Sequence, residues 1–279
     1  MKLYLCAATA FLFGTMPVSA QSVENTTTSV VSVPVGDDAP KQEGIKGTIA
    51  LGGADVPKYD GASKYRAAPF GLIALKFKSF DLNLVGPTMK LNFGGDSHFE
   101  FGPVIGLSGG RSESDAVGRV KLLNTISTSA NAGAYVGYRF GGSPSGQGRI
   151  VFSLEATQDV KGSRGFTIEP SVNYIAIRNR HMFLNFDVST KINDAKYMQT
   201  NFGITPLEAL RSGFAAYRPS GGISSVQGGA TGGYQLTRHW GLLARAQAGT
   251  YLGHASDSPI VKDGSKSFHQ FALGLGYTF

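Results

Sequence analysis

The chain has 279 residues, 42% of them apolar and 16% charged, with 38 Gly, 18 Phe, 11 Tyr, a single Cys and a formal net charge of +7. An average soluble chain carries about 25% charged residues and about 7% Gly, so this one is poor in the first and rich in the second, which excludes a disordered polar chain, a collagen and a coiled coil. Beyond its first twenty residues no apolar run approaches the roughly 20 residues of a membrane helix, so any passage through a membrane is made by strands.

Residues 1–20 read as a secretory signal peptide, with Lys2 as the charged start, Leu3 to Phe13 as the apolar stretch and Val18-Ser19-Ala20 as the cleavage site. Cys6 lies inside it with no lipobox, so the exported chain is expected to contain neither a disulfide nor a thiolate metal site. Residues 21–44, with Asn25-Thr26-Thr27-Thr28, Asp37-Asp38 and Pro40, form a flexible periplasmic leader in this reading. At roughly 3.3 Å per residue it is long enough to engage a partner away from the membrane.

From 45 to 279 the pattern has period two. In 181–192, Met182, Leu184, Phe186, Val188 and Ile192 face one way, while His181, Asn185, Asp187, Ser189 and Lys191 face the other. In 150–158, Ile150, Phe152, Leu154 and Ala156 oppose Ser153, Glu155 and Thr157; in 270–279, Phe271, Leu273, Leu275, Tyr277 and Phe279 oppose small or polar residues. Charges on the second face do not suit the dry core of a soluble sandwich. Apolar faces ending in Tyr or Phe, and segments near the roughly 9–11 residues of a tilted membrane strand, point to lipid. A closed barrel alone satisfies every backbone group there.

The expected fold class is therefore all-β, a transmembrane antiparallel up-and-down barrel. Its predicted strands are 45–54, 67–77, 79–86, 88–95, 97–109, 128–140, 148–159, 165–177, 181–192, 222–235, 239–251 and 267–279. That makes twelve, with ten as the alternative because Gly86-Pro87 leaves 79–95 ambiguous. Long connections at 55–66, 110–127, 193–221 and 252–266 then share the outer side, and tight ones at Lys78, 178–180 and 237–238 share the inner side.

Several stretches are similar to those of one family. They are Tyr59-Asp60-Gly61-Ala62-Ser63 with Tyr65-Arg66 and Pro69, Gly110-Arg111, Phe202-Gly203-Ile204-Thr205-Pro206, Leu236-Thr237-Arg238-His239-Trp240, Ala255 to Val261, and the terminal Gly274 to Phe279. In order and spacing the chain resembles the MltA-interacting protein (MipA)/OmpV family of Gram-negative outer-membrane proteins, over most of its exported length. It departs from the family's often acidic second loop by carrying Arg119 and Lys121. The resemblance implies a non-enzymatic scaffold linking a murein-cleaving transglycosylase to a murein synthase, or, in its other branch, a surface adhesin or small-solute channel. An outer-membrane hydrolase is a further alternative. Tyr277 and Phe279 resemble a C-terminal signal read by the barrel-assembly machinery.

Candidate chemistry is sparse. His254, Ser256 and Asp257 are the right types for a nucleophile, base and orienter, but neighbours in one loop rarely converge, and Asp257-Ser258-Pro259 reads as a turn with the Asp side chain bonding the backbone. His98, His181, His239 and His269 are scattered, without ligand spacing, and no cofactor is expected. Thr205-Pro206-Leu207-Glu208 predicts a helix start with Thr205 as cap; Leu207, Ala209, Leu210 and Phe214 give it an apolar stripe, and Gly213 stops it, making a candidate lid. Arg139, Glu155, Glu169, Asp187, Lys191, Arg245 and Gln247 point inward, as pore lining or as pairs that fill the lumen. Lys58, Lys64, Arg66, Arg111, Arg119, Lys121, Lys161, Arg164, Arg211, Arg218 and Lys262 are expected near lipopolysaccharide phosphates. No aromatic and basic reading surface for nucleic acid is present.

Overall fold

The structure, a computed structural model, describes residues 46–279 apart from Asp96 and Ser163; the expected signal peptide and leader lie outside the described residues. Twelve strands run Lys46–Pro57 (β1), Tyr65–Lys76 (β2), Asp81–Val85 (β3), Thr88–Asn92 (β4), Phe99–Ser108 (β5), Ser129–Phe140 (β6), Ile150–Asp159 (β7), Phe166–Arg178 (β8), Met182–Asn193 (β9), Gly222–Gln235 (β10), Trp240–Tyr251 (β11) and Ser267–Thr278 (β12). Each pairs antiparallel with its neighbours in sequence, and β1 pairs with β12 to close the barrel. The count is twelve, so the ten-strand alternative is set aside.

The ambiguous stretch is a short hairpin. Gly86, at φ 54°, and Pro87 reverse the chain after only five residues of β3. β2 therefore pairs with β3 over Leu72–Lys76, with Gly86 N–H closing onto Gly71 O at 2.8 Å, and its upper half, from Tyr65 to Phe70, is in register with β1. The loop at 109–128 approaches that half-open flank, where Arg66 Nη1 stands 3.9 Å from Asp115 Oδ2.

Alternation is inside-out relative to a soluble protein. On β9, Phe186 and Val188 are 46% and 56% exposed, whereas Asp187 and Ser189 between them are 3% and 2% exposed. Leu273 and Leu275 on β12 and Phe152 and Leu154 on β7 continue the exposed apolar belt. Only hydrocarbon makes such a surface favourable over twelve strands. Aromatic pairs edge this belt near the short-turn end: Phe99 against Tyr138 and Trp240 against Tyr277, each with centroids 5.1 Å apart. Inside, glycine makes room for rings: a Cβ on Gly233 would meet Phe183 at 2.2 Å, so the Phe183 ring lies over that backbone.

The connections 58–64, 109–128, 160–165, 194–221 and 252–266 share one end, and 77–80, 93–98, 141–149, 179–181 and 236–239 share the other. The four connections expected to be long share one side and the three expected to be tight share the other, while 160–165 and 93–98, on opposite sides, are alike at six residues. The Gly86-Pro87 turn is short on the long-loop side, and 141–149 is long on the short-turn side, folded back on itself by Ser143 N–H to Gln147 O at 2.8 Å.

The lipid belt gives a direct expectation. Val188→Lys, at the middle of an exposed apolar row, should reduce folding stability in vesicles by about 2–4 kcal/mol, read by urea titration, while the unsubstituted chain migrates faster on a gel before heating than after.

Candidate functional site: the filled lumen and the loop cap

Many inward positions of β7–β11 carry polar side chains, and these side chains hold one another. Arg245 on β11 donates to both carboxylate oxygens of Asp187 on β9, at 2.9 and 3.2 Å, to Thr231 at 2.5 Å and to Gln247 at 3.0 Å. Glu169 on β8 accepts from Ser189 at 2.9 Å and from Gln227 at 3.2 Å. Lys90 on β4 pairs with Glu155 on β7 at 2.5 Å and lies 5.3 Å from the centroid of the Tyr135 ring. At the short-turn end Arg139 pairs with Glu100 and donates to the carbonyls of Gly95, at 2.6 Å, and Ser97, at 3.0 Å, so it ties the 93–98 turn to β6. Lys191 sits near the long-loop end, where it lines the cavity described below. The seven inward residues singled out in the sequence thus occupy different levels rather than one centre.

These groups are nearly dry. Thr231, Gln227, Gln247, Asp187, Glu169 and Arg245 range from 2% to 8% exposed. Water filling a wide channel would reach its lining side chains; here the side chains fill the space instead. Part of the interior is apolar: Ala50, Ala54, Val56, Phe70, Leu72, Val85, Phe183 and Leu243 form a cluster inside the barrel, while Thr48, Asn83 and Asn92 on β1, β3 and β4 are buried polar residues. Sequence reasoning missed the cluster. The signal was the run Phe70-Gly71-Leu72-Ile73-Ala74-Leu75, which is apolar on both faces rather than alternating.

Long loops close the other end as a folded cap. It contains a 3-10 turn, Gly118–Leu122, and the helices Ala195–Phe202 (α1), Pro206–Ser212 (α2), Gly253–Asp257 (α3) and Pro259–Asp263 (α4). Two apolar clusters hold it. Tyr59, Ala116, Val120, Ile204, Phe214 and Ile260 form the upper one; Tyr197, Met198, Phe202, Tyr251, Ala255 and Phe268 join the cap to the barrel rim. Asp194 caps α1 by accepting from Tyr197 N–H at 2.8 Å.

α2 forms where the sequence places it, with Pro206 in the first turn, a reciprocal Thr205–Glu208 capping box and Gly213 at φ 70°. Its orientation differs from the expected apolar stripe. Leu207 and Leu210 are 63% and 84% exposed, and the buried side chains are Glu208 and Ser212, with Phe214 beyond the helix end. The Glu208 carboxylate is claimed by N–H groups of Thr205, at 2.9 Å, and Asn124, at 2.8 Å, and that anchorage turns the leucines away. Burial pushes the Glu208 carboxyl up, but these hydrogen bonds, the Thr205 hydroxyl and the charge of Arg111 together hold it below its usual value.

Two expected lipid-facing cations are inside instead. Arg111, 4% exposed, donates to the carbonyls of Asn201 and Asn124, at 3.4 and 3.3 Å. Arg164, 5% exposed, donates to Ser108 O at 3.0 Å and to Asn201 Oδ1 at 3.2 Å. Loop carbonyls have no strand partner to satisfy them, and a guanidinium with its five donors fills that need. Under the cap lies a cavity of about 50 Å³, walled by Lys58, Asp60, Arg66, Arg111, Lys191 and the rings of Tyr197 and Tyr251, among others.

The profile of the MltA-interacting protein MipA family matches residues 49–279. The chain belongs to that family. No curated protein sequence matches it. Among solved structures it is similar to an outer membrane channel of Pseudomonas putida F1, at 11% identity and a TM-score of 0.45 over 89% of this chain and 100% of that one. It is similar also to OmpT of Vibrio cholerae, at 9% and 0.36 over 84% and 76%, and to a FadL homologue of Pseudomonas aeruginosa, at 9% and 0.33 over 84% and 90%.

In this MipA-family chain the remaining candidates do not assemble. Ser256 Oγ donates to Gly253 O at 3.0 Å, and Asp257 stands 3.6 Å from Lys262, so His254, Ser256 and Asp257 share α3 without sharing a centre. The turn there is made by Ser258 rather than Asp257. Its hydroxyl accepts from Ile260 N–H at 3.2 Å and donates to Phe202 O at 2.7 Å. His98 and His239 bond the carbonyls of Arg139 and Thr278, and His269 stacks on Tyr65 at 4.1 Å. Among the described residues no His, Cys, Asp and Glu group is arranged for a metal. Tyr277 is 40% and Phe279 46% exposed on the outer face of the last strand segment.

Two outcomes follow from this geometry. Arg245→Ala should cost about 3–5 kcal/mol by stranding Asp187, while Asp187→Leu with Arg245→Met should cost less than either single change, read as urea midpoints in vesicles. Glu208, held below its ordinary value, contributes cap stability above about pH 4.3 that is lost as pH falls through its folded value. Amide exchange in α2, corrected for intrinsic rate, should therefore accelerate in acid, and Glu208→Gln should show the fast rate at neutral pH.

Proposed function

We propose that this MipA-family protein is a non-enzymatic scaffold of the cell envelope. The filled lumen carries that reading: side chains 2–8% exposed at the barrel's mid-height suit a plugged body better than a conducting pore. The family's description, which names an interaction with MltA, supports the same direction. In this reading the barrel sits in the outer membrane with the cap outside and the short turns in the periplasm. Lys46 pairs with Lys76 at the short-turn end, so the leader at 21–44 joins the barrel on the periplasmic side. Leader and turns together offer the surface for murein-cleaving and murein-synthesising enzymes, after export and insertion by the barrel-assembly machinery through the Tyr277–Phe279 signal. Lipopolysaccharide contacts remain with exposed loop cations such as Lys64, Lys121 and Lys262.

The second reading is a small-solute channel, in which residues 199–219 act as a lid. The cavity beneath the cap, continuous with inward polar groups such as Lys191 and Gln227, is the observation in its favour.

Planar-bilayer recording separates the two. The full exported chain and a form lacking 199–219 should both be silent, and ion-selective steps enlarged by the deletion would replace the scaffold with the channel. Affinity isolation from solubilised envelopes should recover murein enzymes with the full chain and fewer with a form lacking 21–44; recovery of none would sink the scaffold reading.

A further inference from the structure

The cavity beneath the cap has a chemical bias that neither the scaffold nor the barrel fold requires. Its wall takes cations from four separate elements: Lys58 from the 58–64 loop, Arg66 from β2, Arg111 from the 109–128 loop and Lys191 from β9. Asp60 is the one carboxylate in that wall, and its oxygens already accept from the hydroxyls of Tyr251, at 3.0 Å, and Tyr197, at 3.4 Å.

Arg111 is the informative member. It is 4% exposed, its two terminal nitrogens serve loop carbonyls, and its Nε–H has no hydrogen-bond partner. A buried charged donor without an acceptor is costly; Glu208 and Asp60 act on the Arg111 charge, and an anion in the cavity that Arg111 lines would add to them. Burial also pulls the Arg111 guanidinium below its ordinary value, which a bound anion would reverse. The wall also holds the polar side chain of Ser225, and the tyrosine rings give the site a partly apolar side.

Size limits the ligand. One water occupies about 10–15 Å³ of such a volume, so about 50 Å³ holds a few waters or one compact oxyanion, and excludes a sugar. The partly exposed wall members include Lys58, Asp60 and Arg66 at the β1–β2 loop, Gly110 and Ile126 in the 109–128 loop and Gln270 on β12, so the less buried side of the cavity is spread over these three elements. We propose that this cavity binds one dissolved small oxyanion, phosphate or a short carboxylate, against Arg111, Lys58, Arg66 and Lys191. The site stands apart from the scaffold reading, because it is tested on the purified chain without any murein enzyme.

Equilibrium dialysis of the refolded exported chain against radiolabelled inorganic phosphate, at constant ionic strength, tests it. Saturable binding of one phosphate per chain is expected, displaced by acetate and not by lipopolysaccharide vesicles. Lys58→Met and Arg111→Lys should each weaken it about ten-fold or more, and Lys121→Gln, on an exposed lysine of the neighbouring loop, should leave it unchanged. Gel mobility before and after heating checks that each variant folds; if Arg111→Lys does not, Lys58→Met decides. Absence of saturable binding overturns the proposal, as does displacement by lipopolysaccharide, or binding that the folded variants leave intact. In the first case the cavity holds water alone; in the second the partner is a lipid phosphate.

Discussion

Everything in this molecule depends on one ladder, the pairing of its first and last strands. From Thr48 with Thr278 to Asp55 with Phe271, β1 and β12 meet over eight positions, and Gly47 and Phe279 exchange backbone hydrogen bonds beyond them. Without that seam two strand edges would face hydrocarbon with unpaired N–H and C=O groups, each costing several kcal/mol in the order of magnitude that governs membrane folding. Closure also fixes which face is which. Once β1 and β12 are in register, Leu273 and Leu275 must point to lipid, and Thr278 must meet the Thr48 hydroxyl inside at 2.9 Å.

Closure creates an interior, and the interior sets its own problem. A lumen lined by Asp187, Glu169, Glu155 and Lys90 has two stable solutions: bulk water, or complete internal pairing. This chain takes the second, with every named charge opposite a partner, and adds an apolar cluster on the β1–β3 side. The two parts complement each other. Small residues on β1, β10 and β12 bring the walls close, so that Phe183 reaches over Gly233 and Phe70 and Leu72 pack where a wide pore would need water.

Much of this was legible from local pattern. Period two was clearest on β7, β9 and β12, because lipid outside and polar side chains inside impose alternation more strictly than a half-solvated sheet does. The Thr205–Glu208 capping box was legible for a similar reason, as a few-residue device whose geometry is written in adjacent side chains, whereas Gly86-Pro87 left open whether 79–95 was one strand or two. The rest depends on what lies opposite. Periodicity says that Leu243 points inward but not that Phe183 waits there. It shows that Leu207 and Leu210 share a face of α2 but not that Asn124, 84 positions away from Glu208, claims the opposite face. Arg111 and Arg164 read as surface cations because nothing near them in sequence announces the orphaned loop carbonyls that they satisfy.

The cap changes how the long connections should be understood. Loops of 28 residues, such as 194–221, are ordinarily treated as mobile surface, yet here 58–64, 109–128, 194–221 and 252–266 share two apolar clusters and a set of polar ties. Ser258 bonds Phe202, Arg119 lies 4.2 Å over the Phe214 ring and reaches Asp263 at 2.5 Å, and Tyr217 bonds His254 O at 2.8 Å. Each tie crosses from one loop to another, so no loop can leave alone without stranding a group on its neighbour. The mouth is therefore closed by a cooperative layer rather than by a single flap. That cooperativity joins the filled lumen and the cavity beneath the cap into one packed body, held from the strand seam at one level to the loop contacts at the other.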